Sequence, residues 1–224
     1  MNRLPTLIAA ALATAPLPAI ACSVAPGYRV PTNMELVVDA DLILLARVDQ
    51  GEPAADASAE PRIAVEPIAA IKGALPTGPL AMPGWIATGD EAIPSNPYDL
   101  KDAHPQSLAG ACVRASFPRG SRVLFFLSWQ GDHWRAAGGP FSRWAEDVLT
   151  DEAPWLQVAR LYAEAAALPA SDRTAYLTAR RDEYGADRDN PVAQLIAADI
   201  ARQFAGPNPP LREELPPAPD DMGD

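Results

Sequence analysis

The chain has 224 residues, of which 48% are hydrophobic and 21% are charged, so it can bury a hydrophobic core of ordinary size. Its formal net charge of -11 at pH 7 argues against nucleic acid and anionic membranes as partners, because both are bound through basic surfaces.

Residues 1–21 have the pattern of a secretory signal peptide. Arg3 supplies a positive charge, an apolar run follows at residues 7–15, and the small residues Ala19 and Ala21 precede a cleavage point. The apolar run is too short to span a bilayer. We therefore expect export to the periplasm or the extracellular space, with Cys22 as the first residue of the mature protein.

The sequence contains two cysteines, Cys22 and Cys112. In an oxidising compartment they can form a disulfide bond, which would close a loop of about ninety residues and stabilise the fold by about 4 kcal/mol. Alternatively, Cys22 carries a lipid that anchors the protein to the outer membrane, and Cys112 is then left without a partner. Lipoprotein signals prefer Leu three positions before the cysteine, where this chain has Ala19, so we favour the disulfide.

The mature chain begins with a β-rich part that we place at residues 22–150. Thr32 and Glu35 have the spacing of a capping box, which predicts a short helix over Asn33–Asp39. The continuous apolar run at residues 41–48 predicts a strand that is buried on both faces or curved within a barrel.

Two further strands are predicted before a long irregular segment. The first covers Arg62–Lys72, where Pro67 indicates an edge strand or a bulge, and the second is a weaker strand at residues 79–85. Residues 86–110 contain several prolines and no periodicity, a composition typical of a functional or mobile loop.

The most apolar run of the mature chain lies at residues 121–129 and predicts a buried central strand. Residues 130–132 then predict a turn, and residues 133–137 the returning strand of a hairpin. Short strands with one short helix predict a small β-barrel of five to six strands.

Residues 151–206 have a different, helical pattern and predict a three-helix appendage that packs on the β-domain. Trp155, Val158 and Tyr162 share one helical face, and Asn190 has the position of a helix cap. The composition of residues 207–224 is rich in proline and acidic residues, which predicts a disordered tail. The fold class is therefore mainly β plus α.

Together, several features resemble exported bacterial proteins of the netrin-like class, also called the tissue-inhibitor-of-metalloproteinase-like class. The resemblance covers residues 22–150 and implies an OB-type five-stranded barrel with the N-terminal cysteine bound to the body of the domain. Its features are the Cys22-Ser23 start, the short helix before residues 40–48, the strand end at Ile71-Lys72-Gly73, and a cysteine before residues 117–127.

In the animal inhibitors of this class, the first cysteine chelates the zinc ion of a target protease through its amine and carbonyl, and the next residue enters the specificity pocket. By match, these roles would fall on Cys22 and Ser23. An α-amine has a pKa of about 7.7, so a neutral, metal-binding fraction exists at pH 7. Val24 replaces the second cysteine of the class pattern.

The sequence nominates no catalytic residue, cofactor or metal ion. His104 and His133 lie in different segments, whereas a zinc site needs three or four ligands. We interpret His104 as part of a solvated polar loop and His133 as an outward-facing hairpin residue. Motifs for a nucleophile elbow, a phosphate loop or a zinc protease are missing from the sequence.

The tryptophans allow two interpretations. Trp85, Trp129 and Trp134 are candidates for an aromatic surface that binds a ligand or peptide. The alternative is that the five tryptophans belong to the core and to the interface with the helices.

The leading hypothesis is an exported, monomeric, non-enzymatic module that binds a protein or peptide in the cell envelope. It would meet the membrane only if Cys22 is lipidated. One alternative is an inhibitor of a zinc metalloprotease acting through the Cys22 amine and carbonyl. The other is an envelope hydrolase that uses residues 86–110.

Overall fold

The structure is a computed structural model that describes residues 23–52, 61–89, 92–96, 98–108 and 112–212. The predicted signal peptide, Cys22 and residues 213–224 of the predicted tail lie outside the described residues.

An antiparallel sheet forms the centre of the molecule. The described strands are β1 (Leu42–Glu52), β2 (Arg62–Lys72), β3 (Leu80–Pro83), β4 (Trp85–Ala87), β5 (Ser116–Pro118), β6 (Arg122–Gln130), β7 (His133–Ala136) and β8 (Ala145–Asp147). The strand order of the sheet is β3-β2-β1-β6-β7, and β8 also pairs with β6. A separate parallel pair is formed by β4 and β5.

Helices precede and follow the sheet in the chain. They are α1 (Asn33–Asp39), α2 (Pro154–Ala167), α3 (Ala170–Ala186) and α4 (Pro191–Phe204). The predicted capping box of α1 is present, because Thr32 Oγ1 accepts from the Glu35 amide and the Glu35 carboxylate accepts from the Thr32 amide. Within the described residues, no helix combines the length and apolar character needed to cross a membrane.

The strands β1 and β6 separate two hydrophobic cores. Leu44 and Phe125 face an inner core that also contains Trp144. Ile43 and Phe126, which alternate with them, face an outer core shared with the helices. Alternate residues of a strand point to opposite faces, so the continuous apolar run at residues 41–48 reflects burial on both faces.

The position of Pro67 follows from the short length of β3. This strand pairs with β2 only over Arg62–Val65, so Pro67 has no described strand on its outer side. On the inner side, a register shift between Leu45 and Ala46 lies opposite Pro67. The edge position and the irregularity that Pro67 predicts are both present, because proline cannot donate to a strand ladder.

The prediction of a small closed barrel is not met. Within the described residues, the edge strands β3 and β7 approach each other, but no ladder joins them. The reason is that β3 pairs near the Arg62 end of β2, whereas β7 pairs near the Leu127 end of β6, so the two short edges are offset along the sheet. The coarser prediction of a β-sheet combined with α-helices is confirmed.

The helices share their core with the sheet. Trp155 of α2 stacks on Phe126 of β6, with ring centroids 5.2 Å apart. Leu36 of α1 and Ile200 of α4 belong to the same core. The side chains that cover the outer face of the sheet are therefore supplied by both ends of the chain.

Residues 207–212, which we call the C-terminal strap, return to the N-terminal segment. The Leu211 amide donates to Tyr28 O at 2.9 Å, and the Gly27 amide donates to Arg212 O at 3.0 Å. Asn208 Nδ2 donates to Val30 O at 2.9 Å. Composition alone assigns these residues to a disordered tail, but backbone pairing and one asparagine side chain hold them in place.

Candidate functional site

The described part of residues 92–108 packs against the sheet next to β8. Ser95, Leu100 and His104 are buried, and His104 is only 2% exposed. The interpretation of His104 as part of a solvated polar loop is therefore wrong. The polar groups of this segment can be buried because they find hydrogen-bonding partners within the protein. Composition does not show such partners, so a polar sequence predicts an exposed loop.

The ring of His104 is fixed by hydrogen bonds at both nitrogens. Nδ1 accepts from the Gln106 amide at 3.3 Å, so the proton lies on Nε2, which donates to Ile93 O at 2.8 Å. Burial, together with the charge of Arg114, lowers the pKa of His104 to about 4. The ring is thus neutral at pH 7 and holds the loop in shape.

Arg114 and Asp147 form a buried ion pair beneath this loop. Arg114 Nη2 lies 3.0 Å from Asp147 Oδ2, and the side chains are 1% and 5% exposed. Ser95 completes the arrangement, because its amide donates to Asp147 Oδ2 at 2.7 Å and its Oγ accepts from the Asp147 amide at 3.0 Å. The loop is therefore attached to β8 by charge-assisted hydrogen bonds.

Arg143 and Glu146 form a second buried pair with a wider separation. Arg143 Nη2 lies 3.8 Å from Glu146 Oε2, and Arg143 Nη1 lies 3.8 Å from Asp99 Oδ1. Glu146 Oε1 accepts from the His104 amide at 3.1 Å. Burial raises the pKa of Glu146, and the charge of Arg143 partly offsets this. Glu146 is also hydrogen-bonded to Ser95, whereas Arg143 Nε is buried and has no partner.

Two adjoining cavities lie on this side of the molecule. The smaller one, which we call the side cavity, has a volume of about 160 Å³ and is lined in part by Asp99, His104, Arg143 and Glu146. The larger one, which we call the rim groove, has a volume of about 580 Å³. Asp102, Ala103 and Leu108 line both.

The rim groove is mainly apolar and open to solvent. Its wall combines the N-terminal segment, the loop before Leu108 and the C-terminal strap. The remaining lining residues are Val24, Val30, Lys101, Phe141, Asn208, Pro209 and Leu211. Such a concave apolar surface is suited to holding apolar side chains of a ligand.

Ser23 and Cys112, two of the residues that the resemblance selects, lie beside the rim groove. Ser23 is exposed and precedes Val24 of the groove wall. Cys112 O accepts from the Phe141 amide at 2.6 Å, and both residues have positive φ, 66° and 58°. The described residues contain no free cysteine thiol.

The candidate aromatic residues fall into two places. Trp129 and Trp134 lie together, 5.0 Å apart in an edge-to-face arrangement, and Trp129 is 49% exposed. This pair lies near the Leu42 end of β1. Trp85 is also exposed, but it belongs to β4, which packs against Gly51 at the other end of β1.

The other two tryptophans are buried. Trp144 lies in the inner core and Trp155 in the outer core. The interpretation as core residues therefore holds for these two, because their rings fill the space on either side of the sheet.

His133 lies at the hairpin, where both ring nitrogens are partnered by neighbouring polar side chains. Its Nδ1 pairs with Asp132, and its Nε2 accepts from Arg135 Nε at 2.7 Å. Among the described residues, no group of three or more His, Cys, Asp or Glu side chains is placed to hold a metal ion.

Sequence reasoning missed Arg143, Glu146 and the rim groove. The signal available was the segment from Arg143 to Asp147, where charged residues flank Trp144 and Ala145 in an otherwise apolar region. Glu146 and Asp147 of this segment are buried within β8. Their partners come from residues 92–114, and no local pattern predicts that contact.

No protein-family model matches the chain, and a search of curated proteins finds no significant match. The candidate function therefore rests on the geometry and chemistry of the residues described above.

Proposed function

We propose that this protein is an exported, non-enzymatic binding module that holds an extended protein segment in the rim groove. The observation that carries the proposal is the exposure of apolar side chains in a concave surface. Leu108 is 70% exposed and Leu211 is 53% exposed, and both line the groove. Apolar surface of this kind marks interaction sites in soluble proteins.

The partner segment carries apolar side chains and a net positive charge. Apolar side chains match the groove wall, whose charged residues are Lys101 and Asp102. The net charge of -11 attracts a basic partner and repels an acidic one during the approach to the groove.

The netrin-like resemblance supports the same location. We interpret the open sheet as a variant of the OB-type architecture, with a disulfide between Cys22 and Cys112 beside the groove. The missing free thiol among the described residues supports this pairing. In this arrangement Ser23 and Val24 lie at the rim, where the class contacts its targets.

The two alternative functions have less support. The inhibitor requires Cys22, which lies outside the described residues. The hydrolase requires a base in residues 86–110, and both ring nitrogens of His104 are already hydrogen-bonded. We therefore place the binding module first.

The experiment is a peptide-display selection on the mature protein, followed by affinity measurements on purified variants. Leu108→Asp and Leu211→Asp should each weaken the selected peptides by about tenfold or more, because a buried carboxylate would oppose apolar contact. Leu149→Asp and Leu75→Asp are the controls, because these leucines are 67% and 51% exposed and do not line the groove.

Two results would overturn the proposal. One is a selection that yields no saturable peptide binder. The other is equal weakening by the groove variants and the control variants, since this would assign the effect to general loss of surface hydrophobicity.

A further inference from the structure

Arg143 has fewer hydrogen bonds than a buried guanidinium requires. The residue is only 5% exposed, yet the hydrogen bond found for its side chain is the one from Nη1 to Asp102 O. Its Nε is buried and has no partner. A guanidinium has five N–H donors, and buried donors in native proteins are normally satisfied.

The nearby carboxylates do not complete this set. The distances of 3.8 Å to Asp99 and Glu146 are too long for hydrogen bonds, although they balance charge. Glu146 is held by the His104 amide and does not close on Arg143. A donor and an acceptor therefore stand side by side with a gap between them, and both line the side cavity.

The charges of the pair decide which ligand fits the gap. A carboxylate in the side cavity would be repelled by Glu146 and Asp99. An ammonium group there would be repelled by Arg143. A primary carboxamide is neutral and presents an accepting oxygen and a donating NH₂ group from the same end. Its oxygen can accept from Arg143 while its nitrogen donates to Glu146.

We infer that the side cavity receives a primary carboxamide, the Asn or Gln side chain of the segment bound in the rim groove. This inference rests on the proposed function, because the side chain belongs to the segment bound in the rim groove. The two cavities share Asp102, Ala103 and Leu108. A side chain can therefore enter the side cavity from a backbone lying in the groove. The cavity volume of about 160 Å³ accommodates a group of this size.

The test is an NMR titration of the mature chain with three small probes that share a backbone and differ in the side chain. They are the N-acetyl, N-methylamide derivatives of glutamine, glutamate and lysine. We expect saturable shifts of the Arg143 Nε resonance and the His104 amide with the glutamine probe, at an affinity about tenfold higher than for the other two.

Variants connect the binding to the two side chains. Arg143→Met should abolish the response to the glutamine probe. Because Arg143→Met removes a buried guanidinium and can disturb the fold, a second variant, Glu146→Gln, is included that changes the chemistry without changing the size of the side chain. It removes the negative charge and keeps the shape, so the preference for glutamine over glutamate should fall by about tenfold.

The titration also separates this inference from the proposed function. Leu211 lines only the rim groove, so Leu211→Asp should lose the selected peptides and keep the glutamine probe. If peptides bind but show no Asn or Gln preference and no probe shifts Arg143, the cavity holds water and the inference fails alone. Stronger binding of the glutamate or lysine probe would also overturn it.

Discussion

Tyr162 donates its phenolic hydrogen to Asp199 Oδ2 across 2.6 Å, and both side chains are buried in the outer core. Asn33 Nδ2 donates to the other oxygen of the same carboxylate at 2.8 Å. Asp199 thereby connects α1, α2 and α4. A bond of equal length lies near the surface, where Tyr176 donates to Glu164 at 2.6 Å.

The two tyrosines give a matched prediction on stability. Tyr162→Phe should lower the free energy of unfolding by about 1 to 3 kcal/mol, because it leaves a buried carboxylate short of a donor. Tyr176→Phe should change the free energy of unfolding by about 0.5 kcal/mol at most, because water replaces the lost partner. Urea unfolding of both variants measures the difference, and equal losses would contradict this role of burial.

His104 should make stability depend on pH. Its pKa in the folded protein is about 4 and its ordinary value is 6.5, so the unfolded chain binds the proton more tightly. The stability that the neutral ring supports is therefore fully present above pH 6.5 and is lost as the pH falls toward 4. At about 1.4 kcal/mol per pKa unit, the loss is at most about 3.5 kcal/mol.

The test compares unfolding of the wild type and His104→Gln between pH 7 and pH 4. The difference in unfolding free energy between them should shift in favour of the variant as the pH falls, because glutamine does not titrate. His133→Gln is the control, since His133 lies at the hairpin and contacts Asp132 and Arg135 instead of the loop. A parallel pH profile for wild type and His104→Gln would refute the prediction.

Gly73 and Gly120 separate backbone strain from steric overlap. Their φ angles are +82° and +81°, but a Cβ at Gly73 would lie 2.7 Å from Asp41 O, whereas Gly120 has no atom within 4 Å of that position. Gly120→Ala should cost about 1 kcal/mol from the left-handed backbone alone. Gly73→Ala should cost about 2 to 4 kcal/mol, because the backbone at Asp41 must move.

Thermal or urea unfolding of the two alanine variants decides this point. Equal destabilisation would show that φ alone sets the cost and that the contact with Asp41 relaxes freely.

The buried ion pair of Arg114 and Asp147 should contribute far more to the free energy of unfolding than the exposed pair of Arg122 and Asp151. Asp147→Asn leaves the Arg114 charge buried and without its counter-ion, which should cost about 3 to 5 kcal/mol. Asp151→Asn removes the exposed pair with Arg122 and should have no measurable effect. Both variants keep the size of the side chain, so the difference between their unfolding midpoints reports the effect of losing a charge at a buried and at an exposed position. A similar midpoint for the two would argue against burial as the cause.

Local sequence signals were sufficient where the cause of a structure is local. The helix α4 has Asn190 as its cap, with Oδ1 accepting from the Val192 and Ala193 amides, and Pro191 at its first position. The hairpin turn between Gln130 and His133 follows from Gly131 in the same way. In each case the residues that determine the structure are neighbours in the chain.

The sequence could not show structures that depend on distant partners. Whether the sheet closes depends on the offset between β3 and β7, which is set by pairing across the whole sheet. The burial of His104 depends on Ile93 and Glu146, and the rim groove depends on Leu211 and Val24 lining the same surface. Alternation and composition contain no information on these contacts, because the residues involved lie far apart in sequence.

The pairing of the C-terminal strap with the N-terminal segment makes one wall of the rim groove depend on the last described residues of the chain. Asn208 of the strap donates to Val30 O of the N-terminal segment, and the two residues are 178 positions apart. Tyr28 of the N-terminal segment also donates its hydroxyl to Gly138 O and Pro140 O, but the contacts with the strap can form only after residues 207–212 have been synthesised. The strap side of the rim groove, formed by Asn208, Pro209 and Leu211, is therefore absent from any chain that stops before residue 207, and such a chain offers a partner only the opposite wall.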